Sequence, residues 1–171
     1  MKKRGAARPA GEIAVLLHAL DEAYDHRGAW HGTALKGSLR GVTARQASWR
    51  AAPGRHNIRE LVVHAAYWKY LVRRRLTGEK RGSFPIEGNN WFARSGPDEK
   101  EWRSDRELLE REHRTLRQVV AKLPPGGLAG PLPGARKRTA LREIAGIALH
   151  DVYHTGQIQL LKALRKKQRA R

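Results

Sequence analysis

Two histidines stand four residues apart near the end of the chain, in the stretch HDVYHTGQIQLLKALR at residues 150–165. In a helix this spacing is about one turn, so His150 and His154 lie on the same side. The stripe that they share also carries Ile147, Gln157 and Leu161, and its apolar members direct both imidazoles towards the protein interior. Neutral imidazole nitrogens that converge in an interior are typical metal ligands.

A third histidine, His64, lies in the stretch ELVVHAAYWKYLVRRRLTG, on the flank of the apolar side of a second predicted helix. A catalytic zinc-type site needs three such imidazoles and a fourth position open to water or substrate. The alternative is that each histidine is an isolated residue with its own hydrogen bond. Burying three imidazoles without a metal leaves donors and acceptors that need separate partners. We therefore predict that His64, His150 and His154 bind a metal ion.

The same stretch also resembles the protease motif H-E-x-x-H, with Asp151 in place of the glutamate. No histidine or carboxylate residue follows His154 in the chain. Asp151 also points about 100° away from His150 on a helix, so it is poorly placed to act as the base. The sequence therefore does not favour a metalloprotease.

Two glutamates are candidates to support a metal-bound histidine by accepting its second ring proton. Glu112 projects into the apolar side of the third predicted helix, and Glu143 lies on the His150 stripe two turns earlier. For Glu112, an ordinary salt bridge to one of the many arginines is the competing interpretation. It remains a weak candidate for a role in catalysis.

Other side chains are candidates for contacts with a ligand. Gln157 and Tyr153, which lie beside the histidine pair, are weak catalytic candidates that could orient a ligand. Trp30, Trp68 and Trp91 could form the walls of a site, although aromatic residues at helical spacing are more often part of a core.

Helix start signals recur along the chain, whereas strand signals are nearly absent. The segments that begin at Thr43, Asn57 and Ser104 have the capping-box pattern. With the apolar periodicity they predict four main helices, at residues 11–39, 57–77, 104–123 and 139–167. Glycines at positions 28, 32 and 37 could break the second half of the first of these helices. The fold predicted from these elements is all-α, a single four-helix bundle, and the aromatic-rich connection at residues 78–103 is predicted to pack over it.

Length and composition limit the possibilities further. A chain of 171 residues fits one domain. We predict a disordered basic leader at residues 1–10, the domain at residues 11–167, and a basic tail at residues 168–171. The absence of cysteine excludes disulfides, thiolate ligands and a protein thiol nucleophile. No segment approaches the roughly 18 apolar residues that a membrane span requires, so a soluble cytoplasmic protein is expected.

The formal net charge of +19 attracts anions of any kind, from nucleic acid to a small acidic cosubstrate. Nothing in the sequence matches a zinc finger or an RNA-recognition signature. An ordinary solvated, arginine-rich surface is therefore favoured over a dedicated nucleic-acid interface.

The blocks around His64, His150 and His154, together with AYDHRGAWHGTALKGSLRGVTARQASWR and NNWF, resemble the DinB superfamily, particularly its YfiT-like branch. The resemblance covers nearly the whole chain after about residue 11. It implies an antiparallel four-helix bundle with a long crossover loop, and zinc or nickel held by these three histidines. It also implies a homodimer.

Family members with known activity are often transferases or isomerases that join a low-molecular-weight thiol to an electrophilic small molecule, and others are described only as metal-dependent hydrolases. Because this chain lacks cysteine, such a thiol has to arrive as a cosubstrate, and a basic rim attracts an anionic one. Thiol transfer is the favoured prediction. Hydrolysis by metal-activated water is the first alternative, and a non-enzymatic, stress-related binding protein with nucleic-acid affinity is the second.

Overall fold

The computed structural model describes residues 11–169, apart from residues 83, 125 and 134. The described residues form six helices and one small two-stranded sheet. In chain order these elements are α1 (Gly11–Tyr24), α2 (Leu35–Ser38), α3 (Ala44–Ala47), α4 (Ile58–Thr77), α5 (Glu99–Ala121), β1 (Pro131–Leu132), β2 (Ala135–Thr139) and α6 (Ala140–Arg169). The prediction of an all-α class is confirmed. The predicted leader at residues 1–10 and the end of the predicted tail, residues 170–171, lie outside the described residues.

The helix caps agree with the sequence at two of three positions. Thr43 and Asn57 form the predicted capping boxes in front of α3 and α4. The predicted cap at Ser104 is wrong, because α5 begins five residues earlier. There Asp98 accepts hydrogen bonds from the backbone amides of Lys100 (2.7 Å) and Glu101 (3.0 Å). An aspartate that satisfies two free amides of the first turn is a strong start signal.

The prediction of one helix over residues 11–39 is also wrong. The helix ends at Tyr24, and Gly28 and Gly32 adopt φ values of 79° and 102°. These left-handed conformations are incompatible with an α-helix and cost a glycine little. The chain therefore turns before the short helix α2.

The antiparallel pair of strands β1 and β2 was not predicted. It lies within and after the glycine- and proline-rich connection in front of α6, and Pro131 is the partner of Thr139.

The four long helices pack against one another: α4 contacts α5 and α6, and α1 contacts α5 and α6. Arg75 of α4 binds Glu143 near the start of α6 (2.7 Å), while Lys69, earlier in α4, binds Asp151, later in α6. Residue numbers therefore rise along α4 as they fall along α6, so this pair is antiparallel.

Two apolar clusters form the core. One is centred on α3 and the first halves of α4 and α5, and the other lies between α1, the second half of α5 and the first half of α6. In addition, the connection between α4 and α5 packs over α4, where Phe84 and Phe92 both contact the ring of Tyr67. The prediction that this long connection is packed is confirmed. Within the described residues, no helix has the length and apolar character that crossing a lipid bilayer would require.

Candidate metal centre

Three histidine side chains converge where α4 lies beside α6. The Nε2 atom of His150 lies 3.1 Å from that of His64 and 3.0 Å from that of His154. One ring nitrogen from each histidine lies within 4.8 Å of the others, and no second group with this property occurs in the described part of the chain. The helical stripe therefore directs His150 and His154 inward as the sequence predicted, and α4 brings His64 to them.

The hydrogen bonds of two of these rings fix their tautomers. His64 donates from Nδ1 to the backbone carbonyl of Asn90 (2.7 Å), and His154 donates from Nδ1 to the side-chain oxygen of Gln157 (2.6 Å). Gln157 in turn donates its amide to the hydroxyl of Tyr153 (3.2 Å), which sets the orientation of the amide. The Nε2 atoms of His64 and His154 therefore carry lone pairs.

Burial keeps all three rings neutral at physiological pH. Loss of hydration lowers the pKa of His64 to about 4 and that of His150 to about 3, and it also lowers the pKa of His154. Neutral rings are the form that binds metal.

These observations test whether a metal ion fits the donor set. Two Nε2 lone pairs face the Nε2 atom of His150, and a single proton on that atom can satisfy only one of them fully. Within the described part of the chain, the Nδ1 atom of His150 is buried without a hydrogen-bond partner, so this ring lacks the support that the other two have. Ligands at roughly 2.0–2.1 Å in a tetrahedral site lie about 3.3 Å apart, close to the two measured separations. The three residues fit a divalent metal ion, which would satisfy all three lone pairs at once.

The three histidines lie in an open cleft of about 440 Å³ between α4, α6 and the segment that contains Asn90 and Trp91. We call it the metal cleft. Its aromatic walls include Trp68, whose ring centroid is 5.9 Å from that of His150, and Trp91, which stacks on His64 at 3.8 Å. Its rim carries positive charge and one carboxylate; these residues are Arg75, Arg142 and Glu143.

The structure places the two candidate glutamates differently. Glu112 forms ion pairs with Arg73 (3.7 Å) and Arg111 (3.5 Å), which favours the salt-bridge interpretation. Arg73 follows His64 by nine residues, which puts it on the opposite side of α4. Glu143 lines the metal cleft, where it binds Arg75.

Of the other residues considered from the sequence, some lie at the metal cleft and others do not. Tyr153 lines the metal cleft, and Gln157 orients His154 beside it. Trp30 does not line the cleft and is 96% exposed, so the prediction that it forms a wall is wrong. Asp151 is buried in an ion pair with Lys69, in agreement with the view that it is not the base.

Sequence reasoning missed the residue that holds two side chains of the metal cleft. Asn90 has a φ of 57°, a left-handed conformation that asparagine adopts more readily than most residues. In this conformation its backbone carbonyl binds His64 and its side-chain oxygen accepts a hydrogen bond from Trp68 (3.0 Å). The signal that could have found it is the Asn-Asn pair at positions 89–90, a typical turn sequence.

A second missed feature is an aromatic stack behind the metal centre. The ring of Trp91 lies between His64 and His56, whose ring centroid is 3.6 Å away. His56 also contacts Glu60 at 2.9 Å. His56 is exposed, yet it helps to fix the wall of the metal cleft through Trp91.

The structure is therefore that of a helical protein in which three histidines that could hold a metal ion line an open cleft. A family model of the DinB superfamily matches residues 27–158, which is most of the chain. The protein therefore belongs to the DinB superfamily, as its motifs suggested. The more specific resemblance to the YfiT-like branch stays a prediction. No curated protein and no solved structure matches the chain significantly.

Proposed function

We propose that His64, His150 and His154 bind a divalent metal ion and that the protein uses it to transfer a low-molecular-weight thiol to a small electrophile. The observation that carries the proposal is the convergence of three neutral imidazoles, two with fixed tautomers, in an open cleft. When bound at such a site, a divalent metal ion acts as a Lewis acid that lowers the pKa of a coordinated thiol or water molecule.

The donor set favours zinc or nickel. Imidazole ligands suit zinc and nickel, whereas magnesium and calcium prefer oxygen ligands. Two of the three rings also have the support that a metal ligand needs, because Asn90 and Gln157 accept hydrogen bonds from the second nitrogen of His64 and of His154.

The residues around the histidines suggest how the cosubstrates are held. Trp68 presents an apolar surface to the body of a small molecule, and Trp91, whose two faces are covered by His56 and His64, adds the edge of its ring. Arg142 at the rim attracts an anionic group. Tyr153, which is exposed at the edge of the metal cleft, places a hydroxyl group beside Gln157. The proposed substrate is therefore a small electrophile, and the proposed thiol carries negative charge.

The decisive experiment is an assay of the zinc- or nickel-loaded protein with a panel of electrophiles, with and without glutathione, cysteine and coenzyme A. Thiol transfer predicts turnover only when a thiol is present, and turnover without any thiol would instead select metal-dependent hydrolysis. His154→Ala should abolish both metal binding and turnover. His18→Ala is the matched control, since His18 is an exposed histidine of α1 outside the metal cleft. Turnover that survives His154→Ala would contradict the proposal.

We further propose that the protein is a homodimer that associates through the outer side of α6. In a chain with 30% charged residues, this side carries large exposed apolar residues and no exposed charge between residues 144 and 161. A second copy can therefore approach this face without contact between like charges. The exposed apolar residues of this side are Leu149, Tyr153, Leu160 and Leu164. Sedimentation velocity of Leu149→Glu/Leu160→Glu should show a monomer, and a monomeric unmodified chain would contradict the proposal.

A further inference from the structure

A second cleft, of about 530 Å³, lies between the α2–α3 connection, the start of α4 and the last third of α6. We call it the α6 groove; it is lined by Arg40, Gly41, Val42, Gln46, Ile58, Leu161, Lys162, Ala163, Arg165 and Lys166. None of these residues lines the metal cleft. Leu161 follows His154 by seven residues, about 10 Å along a helix, so the two clefts are separate places on the same pair of helices.

The floor of the α6 groove is apolar. Val42 and Ile58 are buried members of the core cluster around α3 and α4, and Leu161 packs against that cluster while part of it stays exposed. The volume of the groove lies within the range of roughly 300–1,000 Å³ that is usual for small-molecule sites. An apolar body of a small ligand would therefore contact a preformed surface.

The rim has a single sign of charge. Four basic residues line the groove, at positions 40, 162, 165 and 166, and the lining contains no aspartate or glutamate. A cleft with cations and low-dielectric walls concentrates anions. We therefore expect a ligand of the α6 groove to carry negative charge.

Of these four cations, Lys162 gives the clearest indication of an anion site, because its ammonium group is partly buried. Its ammonium group donates to the backbone carbonyl of Ser38 (2.8 Å), and burial lowers its pKa without a carboxylate to offset the loss of hydration. By contrast, the two fully buried basic side chains of the described chain, Arg59 and Lys69, are each paired with an aspartate. A partly buried ammonium with only a carbonyl partner gains stability when an anion binds beside it.

We propose that the α6 groove binds a small amphipathic carboxylate, with its apolar body on Ile58 and Leu161 and its carboxylate group against Lys162 and Arg40. The ligand chemistry follows from the apolar floor, the cationic rim and the size of the groove. This site is independent of the proposed metal chemistry, because the two clefts share no lining residue.

The test is isothermal titration calorimetry of the full chain with octanoate and with its neutral analogue 1-octanol. We expect one saturable site for octanoate and at least tenfold weaker binding of 1-octanol. Lys162→Gln and Arg40→Gln should each weaken octanoate binding at least tenfold. Arg114→Gln, which removes the same charge from an exposed position of α5, should change it less than twofold.

Several results would overturn the proposal. These are the absence of saturable octanoate binding, equal affinity for 1-octanol, or equal losses in Arg114→Gln and Lys162→Gln, since the last would reflect only the overall charge. Loss of octanoate binding in His150→Ala would indicate that octanoate binds in the metal cleft and not in the α6 groove. Displacement of octanoate by a short single-stranded oligonucleotide at lower concentration would assign the groove to nucleic acid instead.

Discussion

Replacing Lys69 with methionine tests how the helices that carry the histidines are held together. Lys69 and Asp151 are both completely buried, and their ion pair joins α4 to α6 one residue after His150. Lys69 binds Oδ2 of Asp151, and Oδ1 has no hydrogen-bond partner among the described residues, so the lysine is the main support of this carboxylate. In Lys69→Met the carboxylate stays buried without a counter-ion.

The expected cost can be worked out from this burial. Removing one partner of a buried ion pair typically costs about 3–5 kcal/mol, because the remaining charge is left uncompensated. For a domain of this size, about 2–4 °C of melting temperature is lost per kcal/mol, so the variant should melt about 6–20 °C lower. The double variant Lys69→Met/Asp151→Leu removes both charges and should recover most of this loss.

The assay is urea unfolding of the metal-free protein, with Lys167→Met as the control for losing an exposed lysine on α6. A loss below about 1 kcal/mol in Lys69→Met would mean that the pair is not a buried support. A double variant as unstable as the single variant would refute the reasoning as well, since the cost would then come from lost packing and not from an uncompensated charge. Zinc affinity measured on the double variant shows in addition whether the two helices keep the histidines in register.

Three further predictions concern the metal centre and the response to pH. Gln157→Leu removes the acceptor of the His154 ring and should weaken zinc binding about 10–100-fold in competition with a chelator, whereas unchanged affinity would exclude this role. Because burial lowers the pKa of all three rings, to about 4 in His64, zinc affinity should begin to decline at a lower pH than it would for free imidazoles, and a decline that starts near 6.5 would contradict the burial of the site. Burial also lowers the pKa of His113, which stacks on Tyr24 at 3.7 Å, to about 2. Just below pH 6.5 only the unfolded chain binds a proton at this histidine, so its contribution to the free energy of unfolding is complete above pH 6.5 and is lost as the pH falls. His113→Phe should reduce the difference in this free energy between about pH 7.5 and about pH 5, measured by urea unfolding. An unchanged difference would refute the assignment.

The convergence of the three histidines was predictable because it depends on local geometry. The spacing of His150 and His154 and the apolar stripe that they share are properties of one helix, and they survive any error in the helix boundaries. His64 could be added because the apolar periodicity of its helix places this residue on the flank of the apolar side. The same local logic failed at Ser104, where a cap pattern occurs inside α5, because the sequence alone does not show which of two start signals is used.

The surroundings of the histidines were only partly predictable, because some of them depend on contacts between distant segments. Asn90 reaches His64 from a connection with no regular structure, and its left-handed conformation has no periodic signal. Arg59 anchors the end of the same connection by donating to the carbonyl of Ser95 (2.7 Å) and by pairing with Asp105 on α5. Such a segment is positioned by the completed fold, so its contribution to the metal cleft becomes visible only in three dimensions.

Whether the fold depends on the three histidines distinguishes a structural metal site from a catalytic one. In a structural zinc site the metal supplies much of the folding free energy, and removal of the metal unfolds the domain. Here two apolar clusters and the Lys69–Asp151 pair join the helices without any contribution from the histidines. Asn90 and Gln157 hold the rings in place from outside, and the cleft leaves space beside the three nitrogens. We therefore expect that a bound metal ion is not needed to build the fold and that chelation leaves the helices intact. This outcome would support the proposal that the site serves chemistry and not structure.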